Sequence, residues 1–141
     1  MAALMSLLPD LLLLALALAV LTVDVWKEDG ETGFHATWIG LAGLAVLIGV
    51  LPAPSGGEAL AGYRASAATQ SWKLLFILAT LGTVLLARPY FRSGGNARGT
   101  LAKSGAFTAL LLLCLQGMFA LVSADNLLTF YLGLELATMP I

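Results

Sequence analysis

The chain has 141 residues, of which 60% are hydrophobic and 11% charged, against roughly 25% charged in an average soluble domain. Its apolar residues come in long runs rather than at helical or strand periods, so lipid, not a soluble core, is the environment that most of the chain requires. A formal net charge of -1 excludes a basic footprint for nucleic acid, and a single cysteine, Cys114, excludes an internal disulfide and a metal site built from cysteines.

Five apolar segments predict helices over 7–26, 34–51, 72–87, 104–123 and 127–141. The first four are each about 16 to 20 residues long, close to the hydrocarbon thickness of a bilayer at roughly 1.5 Å per residue. The fold class expected is an all-α integral membrane protein: one transmembrane region, residues 1–141, forming a bundle of about five helices. In the first segment Ala15, Ala17 and Ala19 have the spacing of a signal cleavage site. No Lys or Arg precedes the run, however, and it continues to Trp26, so it reads as a retained span.

In the second segment Gly40, Gly43 and Gly49 read as helix packing points, as do Thr80 and Gly82 in the third. His35 reads as an interfacial polar residue, because no other ligand accompanies it at metal-binding spacing. Pro52 to Ser71, with Pro54, Gly56 and Gly57, is expected to be a long loop. Charged residues sit at segment rims: Asp10 and Asp24 on the first, Lys73 and Arg88 on the third, positions from which side chains snorkel to the interface. Trp26, Trp38, Trp72 and Tyr90 fall at the same boundaries, as an aromatic belt does.

Pro89 to Lys103 is basic and glycine-rich around Gly94 and Gly95, a topology signal. Cys114 in the fourth segment reads as a small buried side chain. The connections Lys27 to Gly33 and Pro89 to Lys103 carry Lys27, Arg88, Arg92, Arg98 and Lys103, against Arg64 and Lys73 on the other side. The positive-inside rule therefore places the amino terminus outside. Ala124 to Asn126 is barely a turn, which makes the fourth and fifth helices antiparallel neighbours.

The fifth segment, Leu127 to Ile141, covers only about 22 Å as a helix, short of the roughly 30 Å hydrocarbon core. A helix ending there leaves carbonyls and a carboxylate in lipid, so the expectation is a truncated last span completed by further residues or by another chain. Glu135 lies about 15 Å along this helix, near the bilayer midplane, and is the one acid expected away from a rim. A carboxylate there costs roughly 2.5 to 3.5 kcal/mol on insertion scales, so it should face protein or an aqueous path.

Tyr131, Glu135 and Thr138 follow i, i+4, i+7 and form one polar stripe, expected to point into protein. Thr108, Gln116, Ala120 and Ser123 roughly share a face of the fourth helix, the surface expected to receive the fifth. Two readings of Glu135 stand: a proton-carrying carboxylate, or a protonated side chain that glues helices together. A relay needs a partner base, and none of the seven Lys and Arg residues falls at midplane depth, Lys73 included. Pro140 is expected to kink the fifth helix or ease its packing.

The run from Gly117 to Pro140, and within it Tyr131-Leu-Gly-Leu-Glu-Leu136, resembles the junction of the fourth and fifth helices in subunit N of bacterial NADH:quinone oxidoreductase, respiratory complex I. The related antiporter-like subunits usually carry tryptophan where this chain has Leu134. The resemblance implies the amino-terminal part of an antiporter-like subunit. In that family the helix-five glutamate, here Glu135, pairs with a lysine on helix seven along a polar axis that drives protons across the membrane.

It further implies a multi-pass protein of the bacterial inner membrane, with other membrane-arm subunits and lipid as partners. No cofactor is expected in this chain; NADH, FMN, iron–sulfur clusters and quinone are expected in other subunits of the complex. The fragment alone is expected to be inactive. Two alternatives remain open: a cation/proton antiporter or membrane-hydrogenase subunit, and a small membrane scaffold or assembly protein.

Overall fold

The computed structural model describes residues 2–26, 30–51, 57–60, 62–93 and 97–140. Among them are helices α1 (Ala2–Trp26), α2 (Gly30–Val50), α3 (Ala67–Ser93), α4 (Ala97–Ser123) and α5 (Leu127–Thr138), with a hairpin of β1 (Gly57–Leu60) and β2 (Tyr63–Ala65) between α2 and α3. Two stretches, Ala67–Tyr90 and Gly105–Ser123, are long and apolar enough to cross a membrane. Leu7–Val23, His35–Val50 and Leu127–Thr138 are shorter apolar helices.

The first four helices outrun the apolar segments because hydrophobicity marks the solvent a segment suits, while caps decide where its backbone stops winding. α3 starts at Ala67 rather than Trp72, where the Ser66 hydroxyl accepts the Thr69 N–H at 3.2 Å and meets the Thr69 hydroxyl at 2.9 Å. It continues through Pro89 to Ser93, since the hydrogen bond lost at proline falls in the final turn. Gln70, one turn inside α3, donates through Nε2 to the carbonyls of Ile48 and Leu51, the latter at 3.1 Å, and so satisfies two orphan acceptors at the end of α2.

The expected loop from Pro52 to Ser71 is therefore only partly a loop. β1 and β2 pair antiparallel, with Gly57 opposite Ala65, Glu58 opposite Arg64 and Leu60 opposite Tyr63. Gly62 turns the hairpin with φ +85°, a left-handed conformation that favours glycine. Any Cβ there would meet Thr129 Oγ1 at 2.8 Å as well as the Asn126 side chain, because the hairpin lies against the start of α5. The Asp125 N–H donates to the Gly62 carbonyl at 2.9 Å, and a bridge joins Tyr63 to Ala124.

α4 packs against each of the other four helices. The core gathers Leu13, Ala17 and Val20 of α1, Leu41, Leu44 and Ile48 of α2, Ile77 and Val84 of α3, and Leu112, Leu115 and Phe119 of α4. Within each helix these residues recur at helical spacing and line one stripe. Large apolar side chains also remain exposed around the bundle, among them Leu18, Ile39, Val46, Leu78 and Leu86. Of the five glycine and threonine packing points expected in α2 and α3, Gly40 meets the Leu16 side chain and Thr80 is buried, while Gly43, Gly49 and Gly82 have open space beside them.

Lys27, Pro52, Pro54, Gly56, Gly94, Gly95 and Ile141 lie outside the described residues, as do the side chains of Asp24, Arg92, Arg98 and Lys103. Trp26, Trp38, Trp72 and Tyr90 are all exposed.

Candidate functional site

α5 begins at a built cap: Asn126 is extended, and its side-chain oxygen accepts the Thr129 N–H at 2.8 Å. From there the helix runs back along α4 at a separation only glycine permits. A Cβ on Gly117 would lie 2.6 Å from the Ala137 Cα, and one on Gly133 would lie 2.9 Å from the Leu121 backbone nitrogen. The Cys114 thiol donates to the Ala137 carbonyl at 3.1 Å across the same seam.

The face of α5 turned to α4 is thus the small pair Gly133 and Ala137, both buried, and not the polar stripe. Glu135 is half-buried, while Tyr131 and Thr138 on either side of it are exposed. Within this chain, therefore, α4 does not cover the polar stripe. Small residues win the interface because they let two backbones approach, which bulkier polar side chains prevent. Tyr131 and Glu135 lie one turn apart on α5. The Thr138 hydroxyl donates to the Leu134 carbonyl at 2.8 Å. α5 runs to Thr138, and Met139 caps it in right-handed helical conformation, its N–H donating to the Glu135 carbonyl at 2.8 Å.

The face of α4 expected to receive α5 also turns elsewhere. Thr108 and Ser123 are fully buried, with the Thr108 hydroxyl donating to the Gly105 carbonyl at 3.0 Å, while Gly117 and Leu121 meet α5.

A second centre lies on the other side of α4, and sequence reasoning placed its members at the rims. Lys73 of α3 is 5% exposed and Asp10 of α1 is 8% exposed, and Lys73 Nζ donates to Asp10 Oδ2 at 2.8 Å. The same ammonium donates to the Tyr63 hydroxyl at 2.6 Å and stands 5.1 Å from the ring centroids of both Tyr63 and Phe119. Burial pushes the Tyr63 phenol far above its ordinary range, and the Asp10 carboxylate adds to the shift; a contact with Ser123 pulls weakly the other way. The phenol is therefore a neutral donor and acceptor at any physiological pH. Asp10 Oδ1 is buried without a hydrogen-bond partner.

The rim residues Asp10 and Lys73 thus do not snorkel outward but turn inward and pair. Lys73 is committed to Asp10 and Tyr63, with Phe119 and the rest of α4 between it and α5. The chemistry available is that of two carboxylates in different settings: one sealed in an ion pair, one half-covered beside a tyrosine. Outside the bundle, Arg64 of β2 and Asp125 pair at 3.2 Å in an exposed bridge that fastens the hairpin to the α4–α5 turn.

No family model matches the chain. Curated relatives do match it, among them several NADH-quinone oxidoreductase subunits N. The subunit of Acidithiobacillus ferrooxidans is 35% identical over 134 residues, covering 93% of this chain and 26% of the relative. That of Polaromonas naphthalenivorans is 33% identical over 137 residues, again covering 93% and 26%, and that of a Geobacillus strain is 29% identical over 135 residues with the same coverage. The chain spans about a quarter of the length of these relatives. Along almost its whole length, then, this chain is similar to a quarter-length stretch of NADH-quinone oxidoreductase subunit N.

Proposed function

We propose that the chain is part of a membrane-arm subunit of a proton-translocating NADH:quinone oxidoreductase, in which Glu135 carries a proton. The observation that carries this reading is the match to subunit N over 93% of the chain. The membrane setting is supported by the two stretches long and apolar enough to cross a membrane and by the large apolar side chains left exposed around the bundle, Leu18, Ile39, Val46, Leu78 and Leu86 among them. All five helices are read as spans of a bacterial inner membrane, with the amino terminus outside.

α5 offers Glu135 on a face that α4 leaves uncovered, with Tyr131 beside it. A carboxylate in lipid is costly, so that face is read as the docking surface of further helices of the membrane arm, which supply the partner base. A change in the charge or hydration of that ion pair shifts the proton affinity of both members and moves a proton along buried waters. NADH oxidation, FMN, iron–sulfur and quinone chemistry are assigned to other subunits, and the chain alone is inactive.

The test is Glu135→Gln in the intact assembly, with proton pumping measured in vesicles. The expected result is normal assembly with pumping reduced roughly a hundredfold, the scale of losing a positioned proton-transfer group. Unchanged pumping with normal assembly overturns the reading and leaves Glu135 as packing glue.

A further inference from the structure

Asp10, Lys73 and Tyr63 come from three separate elements, α1, α3 and β2. We propose that these three residues form a second proton-exchanging site, at the end of the bundle covered by the hairpin, which passes a proton between the exterior and the bundle interior through the Tyr63 hydroxyl. The proposal goes beyond the role assigned to Glu135 and does not depend on it.

The first argument is cost. An ion pair whose side chains are 6% and 11% exposed loses hydration worth several kcal/mol per ion, and well-packed apolar residues generally serve stability as well or better. The second is an unused valence. Asp10 accepts from Lys73 through Oδ2 alone, and its other oxygen, Oδ1, is buried with no partner. A buried acceptor left unpartnered is costly, and this one is open to a further hydrogen bond or a proton. The third is connectivity. Lys73 Nζ donates to the Tyr63 oxygen at 2.6 Å, and Tyr63 itself is half-buried on the hairpin, which packs against α1 and α4.

The exchange is balanced and keeps the site electrically neutral, as a low-dielectric setting demands. A proton arriving at Asp10 Oδ1 forms an O–H bond there. One Lys73 N–H bond breaks as its proton passes to the Tyr63 oxygen, and the phenol releases its own proton to water at the hairpin. Carboxylate and ammonium become carboxylic acid and amine, with one proton in and one out; the reverse sequence restores the ion pair. The groups facing the site are Asp10 from α1, Lys73 from α3, Tyr63 from β2, and Phe119 and Ser123 from α4. Among the described residues, the hairpin also carries Arg64, in its exposed pair with Asp125.

The experiment is nuclear magnetic resonance of the full chain in lipid nanodiscs with side-chain nitrogen-labelled lysine, the Lys73 signal being identified by its loss in Lys73→Met. The expected result is exchange of the Lys73 ammonium protons with deuterated solvent in the wild type, slowed roughly a hundredfold in Tyr63→Phe. Ammonium protons that do not exchange in the wild type, or that exchange at an unchanged rate in a folded Tyr63→Phe chain, overturn the proposal and leave a static clamp. Should Tyr63→Phe fail to fold, the wild-type exchange measured from pH 5 to pH 9 decides alone, because a clamp predicts no exchange across that range. Glu135→Gln is expected to leave the Lys73 signal untouched, so failure of this proposal and failure of the Glu135 reading are separately visible.

Discussion

Lys73 and Asp10 are 63 positions apart in sequence and 2.8 Å apart in space. Their pairing makes each conditional on the other: Asp10→Ala leaves a buried ammonium uncompensated and is expected to cost about 3–5 kcal/mol. The double variant Asp10→Leu, Lys73→Met removes both charges and is expected to recover most of that loss. Thermal unfolding in nanodiscs, followed by the helical signal, checks both; single variants as stable as wild type show that the pair is not sealed. The residue-scale signal for this pair was present in the spacing. Asp10 continues the buried stripe of Leu13, Ala17 and Val20, and Lys73 continues that of Ile77, Thr80 and Val84. It was illegible because a helix apolar on every side hides which stripe is buried, so a charge near its end reads equally well as snorkelling outward.

At the scale of elements, the seam between α4 and α5 rests on two glycines. Gly117→Leu has no room, since the Ala137 backbone occupies the place of its Cβ, and is expected to push α5 away at a cost of about 1–3 kcal/mol. Gly43→Ala faces open space and is expected to leave stability unchanged or raise it by up to about 1 kcal/mol, alanine being the better helix former. Melting temperatures of the two variants test the contrast, and equal values would mean that α5 is not held by close backbone approach. The short Ala124 to Asn126 connection announced the antiparallel pair, and Asn126 behaves as its residue type predicts at a helix start. The hairpin went unseen because a glycine- and alanine-rich stretch carries little strand signal; its geometry comes from docking on α4 and α5 through Gly62, Arg64 and Asp125.

At the scale of the whole molecule, the reading as a membrane subunit sets an orientation that can be measured. A membrane-impermeant thiol reagent is expected to label Arg64→Cys from outside and Arg88→Cys only from the cytoplasm, both side chains being exposed. Labelling of both from one side overturns the alternating path of the spans. Helical class, the number of apolar segments, the family resemblance and the singular acid on the last helix were determined by sequence alone, because each depends on composition along a continuous stretch. Which carboxylate meets which cation, which face of α5 turns toward α4, and where the hairpin sits were decided only in three dimensions. The reason is that in chains apolar on all sides the selection among faces is made by close packing between distant segments, and one-dimensional periodicity carries no trace of it.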